Sequence, residues 1–112
     1  MTKMSTSKTD HMRRAIAIAV RGLDPRETEG GNDLSVLSND TQFESVEVFD
    51  DEISISGRSF SGPIVWHVEL VYRDADGDIR QSDSFPGTVT GRFDGEQVVI
   101  EHMTADTRSF YQ

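Results

Sequence analysis

The chain contains no cysteine, which removes disulfide staples, thiolate nucleophiles and Cys-ligated zinc or iron–sulfur centres from consideration. That absence is compatible with any reducing compartment. Lysine is nearly missing too: of the 11 basic residues only Lys3 and Lys8 are lysines, both ahead of the folded body, and the other nine are arginines. No apolar run approaches the roughly 18 residues that a membrane-spanning helix needs. The run Ala15 to Val20 is too short and follows Arg13-Arg14 inside a helical pattern. A cytoplasmic protein without membrane contact is therefore expected.

Positive charge is also in deficit. Twenty acidic residues against 11 basic give a net charge of −9, which repels phosphate backbones and argues against direct nucleic-acid binding. An Asp-rich, Lys-poor surface suits solubility in a salty cytoplasm. It also suits a face that docks a basic protein partner, or an acidic inhibitor that mimics nucleic acid. The acids are dispersed through turns and strands, with no run longer than Asp50-Asp51-Glu52, which favours solubility over the two docking ideas. A chain of 112 residues supports one core, burying about two-thirds of the surface its unfolded form exposes. With 35% hydrophobic residues that core is lean, and a lean core often needs a partner chain.

Residues 1–8 are polar and predict a disordered tail, leaving 9–112 as a single α+β domain. From Thr9-Asp10 the apolar positions Met12, Ala15, Ile16, Ala19, Val20 and Leu23 recur at three- and four-residue spacing, which predicts a helix from about Asp10 to Gly22. Gly22 suits its C-terminal cap and Asp24-Pro25 stops it. The stretch 26–42, with Gly30-Gly31, Asn32-Asp33 and Asn39-Asp40, reads as a long connection holding at most one helical turn. The period then changes to two. Phe43 to Phe49 and Glu52 to Ser56 predict a hairpin about Asp50-Asp51. Pro63 to Tyr72 predicts the strongest strand, with Ile64, Trp66, Val68, Leu70 and Tyr72 on the core face and Val65, His67, Glu69 and Val71 on the other. Its partner runs from Ile79 to about Phe85, and Pro86-Gly87 reads as a turn. Thr88 to Phe93 and Gln97 to Thr104 follow as a hairpin about Asp94-Gly95. Ser109-Phe110-Tyr111 forms an aromatic end that folds back on the sheet. The expected architecture is one N-terminal helix packed on a curved antiparallel sheet of four to six strands. Its core should hold Ile16, Val20, Leu23, Ile64, Trp66, Val68, Leu70, Val98 and Ile100.

That order of elements, together with the closing segment Gly91-Arg92-Phe93-Asp94-Gly95-Glu96-Gln97-Val98-Val99-Ile100-Glu101-His102, resembles the cystatin-like α+β proteins. More narrowly, residues 52–106 resemble the nuclear-transport-factor-two-like superfamily with its SnoaL-type cyclases and ketosteroid isomerases. The resemblance implies a conical sheet that can enclose a small apolar ligand, and an isomerase or cyclase activity. Such isomerases need a carboxylate base with a tyrosine and a protonated acid as oxyanion donors, and this sequence places no such set residue by residue.

The candidate catalytic residues are His67, Glu69 and His102. His67 and Glu69 lie two apart on one strand face, where a general acid or base with Arg73 or Arg92 nearby could sit. A half-exposed polar face or an interface edge explains the same pattern more simply. A zinc site would need His67, His102 and a carboxylate to converge, and the spacing does not require it; no metal or other cofactor is expected. Asp74, Asp76, Gly77 and Asp78 look like a calcium loop but miss its register, with glycine fourth and Phe85 twelfth, and read as a turn. The mixed face Val65, His67, Glu69 and Val71 predicts a homodimer interface, because one helix about 10–12 Å wide covers only part of a five-stranded sheet about 20–25 Å across. Three functions therefore compete: a non-catalytic acidic binding or protein-interaction module, which is preferred; a small SnoaL-type isomerase or cyclase; and an acidic nucleic-acid mimic.

Overall fold

The first apolar periodicity folds as helix α1, Lys8–Gly22, in the computed structural model, which describes residues 8–111. Most of the segment read as a tail, residues 1–7, lies outside the described residues, and Lys8 is already helical. Ile16, Ala17 and Val20 are buried on the inward face of α1 while Ile18 points to solvent. Leu23, expected in the core, is 38% exposed. It follows the last helical residue, so the turn toward Asp24-Pro25 carries it off the apolar stripe. Arg13 anchors the helix by donating from Nε to the Ile53 carbonyl at 3.0 Å.

The stretch 26–42 is more ordered than a connection. A 3-10 turn at Pro25–Glu27 is capped by the Asp24 side chain and leads into a second helix, α2, at Glu29–Ser35. Thr28 caps α2, its Oγ1 accepting from the Gly31 N–H at 3.0 Å. The two glycines that read as loop lie buried inside the helix. A side chain at Gly30 would collide with the Trp66 ring and with the backbone at Thr104 and Ala105. Close packing, rather than turn formation, requires glycine here. Thr41 Oγ1 then donates to the Leu34 carbonyl at 3.0 Å, tying the end of α2 to the sheet.

The sheet has five antiparallel strands and does not close into a barrel. They are β1 Asp40–Val48, β2 Ser54–Ser56, β3 Ser59–Asp74, β4 Gly77–Asp94 and β5 Gln97–Ala105, in the order β1-β3-β4-β5 with β2 also beside β3. The expected hairpin between β1 and β2 does not form. Val48 pairs with Ile64 and Ser54 with Ser61, so both run along the same side of β3 in the same direction, as one interrupted edge strand. The acidic run Asp50–Glu52 is a 3-10 excursion between them that inserts Ile53, 1% exposed, into the core.

Pro86-Gly87 is not a turn either; β4 continues through it. Pro86 lies in register with Val65 on β3, and its carbonyl accepts the Asp106 N–H at 2.7 Å, just past the last residue of β5. Proline's missing donor therefore faces the side where the neighbouring strand has ended. A Cβ on Gly87 would strike the Thr104 carbonyl oxygen and the Trp66 indole nitrogen. The even-numbered face of β3 is the core face as read, with Ile64, Trp66, Val68 and Leu70 at most 1% exposed, joined by Phe85, Val89 and Met103. Val98 and Ile100 only pack half-buried against it, because β5 is an edge strand whose pairing is disrupted by a bulge between Thr90 and Gly91. The aromatic end does fold back: Phe110 meets Phe85 at 6.4 Å.

Gly30→Ala separates two forces of opposite sign. Helix propensity alone would stabilise α2 by about 1 kcal/mol, whereas overpacking against Trp66 costs about 1–3 kcal/mol. A lowered urea midpoint is expected, and a raised one would show that α2 does not pack against the indole.

Candidate functional site

Strand alternation puts His67 and Glu69 on the face of β3 away from the helices. The buried side chains of α1 and α2 all join the core cluster on the opposite face, and among the described residues no helix packs on the His67 side. Across the sheet, His67 is in register with Ser45 on β1 and Ser84 on β4. Its Nδ1 lies 2.9 Å from Ser84 Oγ and its Nε2 lies 3.1 Å from Glu47 Oε1. Farther along the same face, Arg80 donates to Glu69 at 2.7 Å, and Arg73 lies 3.6 Å from Asp78 and 4.0 Å from Asp40. These pairs neutralise one another on the surface. Each is worth about 0–1 kcal/mol in such exposed positions.

The Glu47–His67–Ser84 chain contains the residue types of a hydrolytic triad, but in the wrong order. In a working triad the carboxylate holds Nδ1 while Nε2 faces the serine; here the serine is on Nδ1 and the carboxylate on Nε2. The imidazole is 36% exposed and Glu47 is 53% exposed, so water reaches the whole chain. What the arrangement does is fix the ring orientation and tie β1, β3 and β4 together on the open face.

His102 is elsewhere. It sits on edge strand β5 opposite Thr90, and its Nδ1 lies 2.6 Å from Glu29 Oε1 at the start of α2. Ser84 and Thr90 are six residues apart on β4, about 20 Å along the strand. His67 and His102 therefore do not converge, and among the described residues no group of three or more His, Asp or Glu side chains could hold a metal ion. Asp74 to Asp78 closes the β3–β4 hairpin with Gly77 at φ 127°. Arg92 pairs with Glu101 at 3.4 Å and does not join His67.

Of the interface residues, Val65 is half-buried while Val71 is already 2% exposed within one chain. A partner would meet Val65, His67 and Glu69 but not Val71. The helix-covered face is filled by Trp66, Phe85, Ile16 and Leu34 at 0% exposure, and none of the candidate residues lies among them. Two surface grooves flank it. One, of about 370 Å³, lies between the end of α1 and β1 and is lined by Val20, Leu23, Phe43 and Val46; the other, of about 440 Å³, lies by the start of α1.

The partners of His67 were missed in the sequence, although one signal was there. Counting outward from the Asp74–Gly77 turn puts Ser84 opposite His67 and Ser82 opposite Glu69. The position of Glu47 could not be counted, because the β1 register shifts between Phe43 and Ser45.

No helix of the described residues is long and apolar enough to cross a membrane. No family model, no curated protein and no solved structure matches the chain.

One carboxylate stands out electrostatically. Arg108 donates from both Nε and Nη2 to Asp106, the shortest contact being 2.6 Å, and these bonds hold the Asp106 carboxyl at about 2, below the ordinary 3.8. A depressed folded value means that the contribution to stability is full above the ordinary value and is lost as the pH falls from about 4 to about 2. A pH titration of the Asp106 carboxyl carbon by NMR should give a midpoint near 2, and Arg108→Ala should move it up toward the ordinary carboxylate range.

Proposed function

We propose that this protein is a non-catalytic, acidic protein-interaction module of cystatin-like build that works as a homodimer, two chains stacking through the open faces of their sheets. The observation that carries the reading is the contrast between the two faces. The helix-covered face is filled by its own side chains, so the space where an isomerase of the SnoaL type would hold its ligand is taken by Trp66 and Phe85. The opposite face bears mostly small side chains in register: Ser54, Ser61 and Thr90 in one row, ending at His102 on the edge, Pro63 and Thr88 in the next, and Val65 and Pro86 beyond them beside Glu47, which engages His67. Short side chains without net charge let two sheets approach to the usual separation of about 10 Å.

The charges nearby are already paired within the chain, which lowers the repulsion between two copies of a chain with net charge −9. The basic protein that such a dimer would dock is a further part of this reading, resting on the acidic surface alone.

Light scattering after size exclusion at micromolar concentration should give twice the 12.5 kDa chain mass. Thr88 is exposed at the centre of the face, so Thr88→Arg should return the mass to that of one chain while changing stability by no more than about 0.5 kcal/mol. A wild-type mass of one chain ends the dimer reading.

A further inference from the structure

Half of the ten Lys and Arg side chains among the described residues have found a carboxylate. The two sheet histidines hydrogen-bond Glu47 and Glu29, and Arg13, Arg73, Arg80, Arg92 and Arg108 are all ion-paired. Lys8, His11 and Arg58 are not: among the described residues none has a carboxylate within ion-pair distance, although acids outnumber bases 20 to 11. These three line one groove of about 440 Å³, between the first turns of α1 and the two hairpin ends at Gly57 and Gly95. Arg14, Arg21 and Arg26 also lack such a partner, but each stands beside acids: Arg14 lines a groove with Asp50 and Asp51, Arg21 one with Glu44, and Arg26 lies on the exposed turn between Asp24 and Glu27. In the Lys8 groove the one acid is Glu96, set against three bases. It is thus a local positive site on a chain of net charge −9.

The rest of the lining is apolar. Met12 and Ala15 come from the half-buried side of α1, and Phe93 is 8% exposed, held edge-on by Phe60 at a centroid distance of 5.7 Å. The Phe93 N–H donates to the Arg58 carbonyl at 2.8 Å, which fixes the cationic turn beside the aromatic floor. Gly57 and Gly95, both at φ 61°, form the turns, and among the described residues nothing stands over their missing side chains at the mouth of the groove. A volume of this size falls within the range of small-molecule sites, and apolar walls with a few convergent charges are their usual construction.

From this groove we infer a binding site for a small amphiphilic carboxylate, its head group held by Lys8, Arg58 and His11 and its apolar body lying on Met12, Ala15 and Phe93. The inference goes beyond the dimer reading and does not rest on it, since the groove lies on the helix side of the sheet and leaves the stacking face untouched.

The test is an amide NMR titration of the full chain with octanoate, with octanol as the uncharged analogue. Saturable shifts should centre on Gly57, Gly95 and residues 8–15, and octanol should bind at least about tenfold more weakly because it lacks the charge-assisted bonds. The double variant Lys8→Ser, Arg58→Ser changes two exposed side chains and should lose at least about tenfold in octanoate affinity. Raising the salt to about 0.5 M should weaken the wild type in the same direction without any mutation. The site is overturned by any of four results: equal binding of octanol, undiminished affinity in the double variant, shifts centred on the Leu23 and Phe43 groove, or no shifts up to about 10 mM, a concentration weaker than any useful affinity. The mass by light scattering is measured on the same samples, so a monomer that still binds octanoate removes the dimer and leaves the groove.

Discussion

The indole of Trp66 is the point at which four elements of this fold meet. It is fully buried on β3 and donates from Nε1 to the Thr104 carbonyl on β5 at 3.0 Å. Gly87 on β4 and Gly30 in α2 leave the space the ring occupies. A buried tryptophan N–H usually finds a partner, and here the partner is a backbone carbonyl of the edge strand. The bond draws β5 toward the centre of the sheet, and the two glycines let a strand and a helix approach the ring at backbone distance. That approach seats the first turn of α2 on the sheet, while Thr41 ties down its far end.

The same side chain shapes what the protein has to offer a ligand. A curved sheet closed on one side by helices can be a cup, but this cup is filled by Trp66 together with Phe85, Ile16 and Leu34. The chemistry-bearing residues are left outside it. His67 and Glu69 sit on the opposite face, engaged with Glu47, Ser84 and Arg80, and His102 lies at the edge with Glu29. Surface pairs of this kind orient side chains more than they stabilise. What remains accessible is a face of small side chains and, at one end, a groove where three bases face a single acid, Glu96.

Much of the local structure was legible in the sequence because it rests on period and turn chemistry. The three- and four-residue spacing from Met12 to Val20 specified α1 and its buried side. The strict alternation from Ile64 to Leu70 specified both the strand and which face is core, and Asp94-Gly95 gave the last hairpin at its true position. The antiparallel α+β class followed from those three signals, since a two-residue hairpin and alternating strands leave little room for parallel crossovers.

Long-range contacts decided the rest. Gly30-Gly31 reads as a loop in any local window, and only the Trp66 ring and the β5 backbone lying against it make glycine the residue a helix needs there. Pro86-Gly87 reads as a turn, yet the end of β5 at Ala105 leaves the proline no donor to supply, and the close approach of Thr104 demands the glycine. Asp50-Asp51 looks like a hairpin, but both flanking strands find their partner in β3. Sequence alone settled periodicity, handed turns, charge and the absence of thiols, because these are properties of neighbouring residues. Which glycine touches which ring, which carboxylate meets which histidine and which bases are left without acids are properties of residues far apart in the chain, and only tertiary packing brings them together.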